Sequence, residues 1–313
     1  MRELPEYPSW RPVCSTDKEL LDRYCQSHAP YADASLSTLL VWNGEGTCDV
    51  SELNGNLVLR RGSVSHCSGQ STMIPLGINR PIDTALTLLS TSDCAMKLVP
   101  DPFVAGASPA RWRAAGIQIL PDPDNDDYVY DTGRLASLCE PELRKKRKRR
   151  DRFVSEYLPT PCRLDATSES GAEEILRCAE AWFRQKETAS IHPPAEEIRG
   201  LRRLLDASVS GEFHGLLAFG ARVDRSLVAV SVVETHGCDT VSGVIFKAPR
   251  ELHGAGEYLR SSSAAALLTL GYRGINVQQD LGLSGLRQWK SSFRPSVMLK
   301  KWIVQLSGKA RPC

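Results

Sequence analysis

The stretch "DLGLSGLRQWK", residues 280–290, puts one carboxylate, two cations and two glycines on eleven successive positions. Asp280 follows a short apolar run that reads as a strand ending near Gln279, which stands it at a sheet's C-terminal edge, where polar groups meet ligands. Gly282 and Gly285 let the backbone turn tightly and come close to a ligand. In the following "LRQWKSSF", Leu286, Trp289 and Phe293 make one helical stripe, Arg287, Lys290 and Arg294 make the adjoining one, and Pro295 stops the helix. This pattern suits a site in which Lys290 and Arg287 hold a phosphate or a developing oxyanion while Asp280 positions an amine. On spacing alone, an ordinary surface helix with a capping Asp remains open. Glu234, at the end of a β-rich run, is a second candidate base. His192, His214, His236 and His253 have no partner pattern and read as structural.

The elements that must carry these residues follow from periodicity. "FHGLLAFGARV", "SLVAVSVVET" and "DTVSGVIFKA" are three β-rich runs separated by short turns, which predicts an antiparallel meander. The helical spacing of "GAEEILRCAEAWFRQK" (171–186) and "PAEEIRGLRRLLDAS" (194–208) precedes them, the latter with Pro near its start and acids in its first turn. A small-residue helix, "ELHGAGEYLRSSSAAALLTL", leads to a fourth strand, "YRGINVQQ". Earlier in the chain, "DKELLDRYCQSH" reads as a helix, "LVLRRG" (57–62) and "GIQILPD" (116–122) as strands, and "YVYDTGRLASL" as a strand with a helix starting at Asp131 or Thr132.

Between these halves lies "RKKRKRRDR", residues 144–152, with eight bases and one acid. As a helix it would carry charge on every side, anchored only by Leu143, Phe153, Val154 and Tyr157, so its middle must face water or a polyanion. Arg144, Lys145, Lys146, Arg147, Lys148, Arg149, Arg150 and Arg152 are therefore candidate nucleic-acid contacts, since clustered cations gain affinity by releasing counterions from a phosphate backbone. A solvated connector between two domains is the alternative.

The chain has 313 residues, 42% hydrophobic and 24% charged, with net charge +2, which fits a globular chain of two domains and excludes extended disorder. No run approaches the roughly 18–20 apolar residues that span a bilayer. The most apolar segment is cut by Arg222, Asp224 and Arg225, and the opening residues lack a signal-peptide core. A cytoplasmic protein without stable membrane insertion is expected. The ten cysteines show no C-x-x-C pair and no short-range His partner apart from His66 beside Cys67, so neither zinc nor a disulfide framework is expected.

The order of helices, antiparallel strands, helix and strand matches a Gcn5-related N-acyltransferase fold. The segment "INVQQDLGLSGLRQWKSSFRP" resembles the closing motif of the catalytic domain of lysyl-phosphatidylglycerol synthases and their soluble relatives, in which Asn, Asp-Leu-Gly, Gly-Leu-Arg, Lys and Pro recur in this order. "YVYDTGRLASLCEPELRKKRKRRDRFVSEY" resembles that family's basic inter-domain helix, and "SLSTLLVWNG" with "STMIPLG" resembles its N-terminal half. The resemblance implies an α/β (α+β) fold of two tandem acyltransferase-like domains with mixed, mostly antiparallel sheets flanked by helices: residues 1–142, a basic helix at 143–160, and a catalytic domain at 161–313. It also implies an aminoacyl-tRNA-dependent transferase that forms an amide or ester on a small-molecule or lipid acceptor, without a covalent enzyme intermediate.

Carried over by position, Asn276, Asp280, Arg287 and Lys290 match, whereas the family's acidic positions are Gln278 and Gln279 here. Gln279, Asn276 and Arg287 are then substrate-binding candidates, and the missing carboxylates leave the transferred amino acid open. The membrane-embedded half of lipid-modifying members is not in this sequence, which makes a lipid acceptor less secure. No cofactor is expected. Coenzyme A is the alternative donor: "ELHGAG" places Glu251 where a pyrophosphate would want a neutral or basic residue, while an alignment shifted by one position puts Arg250 there and leaves the donor open. A non-catalytic RNA-binding protein on the same fold is the third reading.

Overall fold

The computed structural model describes residues 3–42, 48–62, 72–92, 94–184 and 194–308. His66, Cys67, His192 and Cys313 lie outside them.

The expected meander forms from strands Leu216–Val223, Ser226–Thr235 and Thr240–Lys247, paired antiparallel. Its β-branched and small residues alternate between two buried faces. Val230 and Val232 pack under helices Glu169–Arg184 and Pro194–Val209, while Ala229 and Val233 pack toward helix Ala255–Thr269. Both faces are covered, and that is why the runs read as apolar throughout rather than half polar.

The sheet grows to seven strands in the order Val297–Leu299, Asp127–Asp131, Gly274–Asn276, Thr240–Lys247, Ser226–Thr235, Leu216–Val223, Thr160–Leu164. All neighbours are antiparallel except Thr240–Lys247 and Gly274–Asn276, which run parallel over three residues, from Thr240↔Gly274 to Ser242↔Asn276. A bulge at Val232/Val233 sets Val244 out of register, and bulges bend and twist a strand. Past Ser242 and Asn276 the two parallel partners separate.

The remaining strands make two smaller antiparallel sheets. Arg11–Pro12, Cys48–Leu53, Asn56–Arg61 and Thr72–Leu76 form one, and Met96–Pro100, Lys301–Leu306 and Ile117–Pro121 form the other. The sheets exchange strands across residue 142. Asp127–Asp131, from the first part of the chain, sits between two strands of the last part, and Lys301–Leu306 returns to sit between two strands of the first. At this crossing Lys301 is fully buried, paired to Asp127 at 2.7 Å and to Asp33, which also pairs with Arg61. A division drawn at 142/143 therefore cuts through hydrogen-bonded sheets.

The basic segment is a helix, Arg144–Tyr157. It is held by Phe153, wholly buried and packed with tilted rings between Tyr157 and Tyr258 at ring distances of 5.2 and 5.5 Å. Contrary to the expectation of an entirely solvated middle, Lys146 is only 7% exposed. Its ammonium lies 4.0 Å from the Trp289 ring centroid and 4.3 Å from that of Phe293, with the Glu257 carboxylate at 3.4 Å. Aromatic faces and one carboxylate replace the water that the helix pattern calls for.

Candidate active site

The parting of the two parallel strands opens a cavity of about 1400 Å³. One wall is Gly243–Ala248, the opposite wall is Val277–Gln279 with the helix Ser284–Ser291, and helix Ala255–Thr269 contributes Gly256, Glu257, Arg260 and Ser263. Arg149 and Arg152 of the basic helix, together with Arg250 and His253, line it as well.

The closing motif does bring its charged residues together, and they are directed at one another. Lys290 is 7% exposed, and its Nζ donates to the carbonyls of Val277 (2.7 Å), Gln278 (3.1 Å) and Gln279 (2.6 Å). Burial pushes its ammonium down to about 7. Asp280 accepts from the Tyr128 hydroxyl at 2.6 Å, the Gly282 amide at 2.9 Å, and Nε and an η nitrogen of Arg287, both at 2.9 Å. Burial alone would raise the Asp280 pKa, but these donors hold it below the usual carboxylate range. Arg287 is 45% exposed and also donates to Asp124 at 2.6 Å. Lys290 thus lines the cavity with its three N–H groups already used on the turn, whereas Asp280 and Arg287 stand behind it.

The turn itself explains that arrangement. Gln278, Leu281 and Gly282 all adopt positive φ, and only the glycine does so without steric cost. A Cβ at Gly282 would also lie 2.9 Å from the Asp124 carboxylate. Three carbonyls gathered by Lys290, with Asp280 fixed on the next amides, over-determine this strained backbone. The strand ends at Asn276, three residues earlier than the sequence indicates, and the intervening residues form the cavity wall.

Asn276 is fully buried and does not line the cavity. Its amide donates to the Pro30 carbonyl (2.7 Å) and Asp127 (3.0 Å), and its oxygen accepts from the Gln278 amide (2.7 Å). Gln279 does line the cavity, where its Oε1 is buried without a hydrogen-bond donor. The expectation that Glu234 acts as a base is corrected by strand alternation. Ser231 and Val233 face the cavity, so Glu234 points to the opposite side of the sheet. There it is wholly buried, accepting from the Ser35 hydroxyl and the Ser37 amide (2.8 Å) and pairing with Lys18 at 3.2 Å. His236 lies beside it, 3.1 Å from Asp22 and 2.8 Å from the Ser242 hydroxyl.

The basic helix divides by face. Arg147 donates to the Leu138 and Cys139 carbonyls, and Arg150 to the Ser137 carbonyl and the Ser261 hydroxyl, so these two close the preceding turn. Arg144, Lys145, Lys148, Arg149 and Arg152 are exposed, the last two at the cavity rim. Sequence reasoning passed over Arg260 and Ser263, which lie in a run of serines and alanines and look there like solvent-facing helix residues. The available signal was one cation in an otherwise small and apolar helix.

Comparison with known proteins agrees with this architecture. No curated protein matches the sequence. A conserved protein of unknown function from Bacteroides thetaiotaomicron superposes with a TM-score of 0.76 at 21% identity, over 95% of this chain and 99% of that one. The lysylphosphatidylglycerol synthase structure from Bacillus licheniformis gives 0.62 at 14%, over 99% and 95%. The C-terminal domain of a putative lysylphosphatidylglycerol synthetase from Agrobacterium fabrum gives 0.59 at 14%, over 96% and 99%. These likenesses concern the fold. The family described as phosphatidylglycerol lysyltransferase, C-terminal, matches residues 26–305, nearly the whole chain, and this protein belongs to that family of acyl-group transferases.

Proposed function

We propose that this chain transfers an aminoacyl group from aminoacyl-tRNA to an amine or hydroxyl on a small molecule or lipid, by direct attack inside the cavity. The observation that carries this reading is the cavity itself, with an interior large enough for an aminoacyl group and its acceptor and a rim bearing Arg149, Arg152 and Arg250. Cations at the mouth suit the phosphates of a tRNA acceptor end. An ester so activated needs orientation and an oxyanion donor more than a covalent nucleophile. The backbone amide of Val244, at the bulge and on the cavity wall, is the natural donor. Lys290, Asp280 and Arg287 serve as positioning residues that fix the Val277–Gln279 wall.

The helix start that would cradle a coenzyme A pyrophosphate favours tRNA as donor. A Cβ on Gly254, the residue just before helix Ala255–Thr269, would come within 2.1 Å of the Arg149 carbonyl oxygen, so the basic helix packs directly over that terminus. Glu257 occupies the first helical turn, buried and paired with Lys146, where an anionic ligand would otherwise bind.

The test is a deacylation assay with purified protein and charged tRNA, with and without phosphatidylglycerol vesicles or a small-molecule extract as acceptor. Acceptor-dependent loss of the ester is expected, and Lys290→Ala should abolish it. Equal turnover in that variant, or micromolar calorimetric binding of coenzyme A with no use of charged tRNA, overturns the reading.

A further inference from the structure

Most charged side chains around the cavity have a partner. Glu197 pairs with Lys247 at 2.6 Å, Glu257 with Lys146, Asp124 with Arg287, and Lys290 donates to three carbonyls. Arg260 differs. It is 7% exposed, lines the cavity, and makes no hydrogen bond or ion pair with any of the described residues; its Nε is a buried donor without an acceptor. Its guanidinium carbon lies 4.1 Å from the centroid of Phe246 and 5.8 Å from those of Tyr130 and Phe293. Aromatic faces offset part of the lost hydration of a cation but supply no acceptor for its N–H groups. Burial disfavours the charge, yet a guanidinium does not give up its proton in a protein. One turn further along the same helix face, Ser263 is 4% exposed and also lines the cavity, and its hydroxyl likewise lacks a partner.

A fixed buried cation and a buried hydroxyl, both facing one space and both unsatisfied, describe half of an ion pair. We propose that Arg260 and Ser263 form a subsite for an oxyanion, a carboxylate or a phosphate, carried by one of the two substrates into the inner part of the cavity. The guanidinium fork matches either group with paired N–H donors. The ring of Phe246, which lines the cavity beside Arg260, favours an anion attached to a hydrocarbon portion over one that keeps a full water shell. Gln278 and Gln279 on the facing wall are neutral, so no carboxylate there competes with the incoming charge. This inference rests on the reading of the cavity as the place of transfer and names the charge of a group bound there.

The test is ligand binding to the full chain, followed by thermal denaturation and calorimetry, with L-glutamate and inorganic phosphate as probes and the carboxylate-free glutaramide and 1,5-diaminopentane as neutral and cationic controls. Saturable stabilisation by at least one anion and none by either control is expected. Glutamate alone identifies a carboxylate subsite and phosphate alone a phosphate subsite. Arg260→Met should weaken that binding at least tenfold and Ser263→Ala severalfold; Arg260→Gln, which keeps polar donors without the charge, guards against a folding defect and should behave as Arg260→Met does. The proposal is overturned if neither anion binds the wild-type protein, if the controls bind as well as the anions, or if the Arg260 variants bind unchanged. Because these measurements involve no tRNA, they separate failure of the subsite from failure of aminoacyl transfer.

Discussion

A carboxylate's role depends on where its strand points it, and Glu234 illustrates this. Type and position made it a candidate base, while the alternation of its strand turns it toward Ser35, Ser37 and Lys18. Glu234→Ala should destabilise the fold by about 3 kcal/mol, because it leaves the buried Ser35 hydroxyl and Ser37 amide without their carboxylate acceptor and leaves Lys18 only Asp22 as its ion-pair partner. KM for both substrates should stay unchanged in the folded fraction, as urea denaturation combined with steady-state kinetics would reveal. Asp280 provides a pH signature. Its folded pKa lies below the unfolded value of about 4, so the unfolded chain takes up the proton first and the stabilisation, complete above that value, is lost as the pH falls. Between about pH 6 and about pH 3, Asp280→Asn should lose less stability than the wild type in chemical denaturation. The residues of the closing motif were legible in the sequence because glycine spacing and charge spacing coincide there. Their mutual satisfaction was not, since spacing says nothing of which carbonyls a lysine will meet. Arg260 escaped notice for the converse reason: its burial depends on a cavity opened by the parting of strands Thr240–Lys247 and Gly274–Asn276, which no local pattern of the helix records.

Helix Arg144–Tyr157 has two kinds of cation, and they should separate experimentally. Arg149 and Arg152 stand at the rim, so replacing both with Gln should lower the slope of log affinity for tRNA against log salt by about two, as filter binding across a salt series would measure. Arg147→Gln should leave that slope intact and reduce thermal stability, because it uncaps the Leu138 and Cys139 carbonyls. The helix was readable from its sequence, as were the meander and the helices at 169–184 and 194–209, since each has a strong local period or capping signal. Strands such as Thr72–Leu76 and Met96–Pro100 were missed. They are five residues long and mostly apolar, with a single polar residue each, Thr72 and Lys97, a pattern that periodicity does not separate from a buried helical turn.

At the scale of the whole molecule, the exchange of Asp127–Asp131 and Lys301–Leu306 decides what can fold alone. A fragment of residues 161–308 lacks the strand that joins Gly274–Asn276 to Val297–Leu299 and also lacks the partners of Lys301. It should show no cooperative melting transition by circular dichroism, whereas the full chain should show one. One acyltransferase-like order of helices and strands was legible in the second half of the sequence, and a tandem pair only through the family resemblance, but strand pairing between distant segments carries no local signature, because Asp127–Asp131 reads as the same strand whichever sheet receives it. The crossing also means that the peptide link after residue 142 contributes little to holding the halves in place. Two polypeptides divided there and produced side by side in one cell would find each other and restore a working protein, which makes the short 3-10 turn Pro141–Leu143 a natural position for a split reporter.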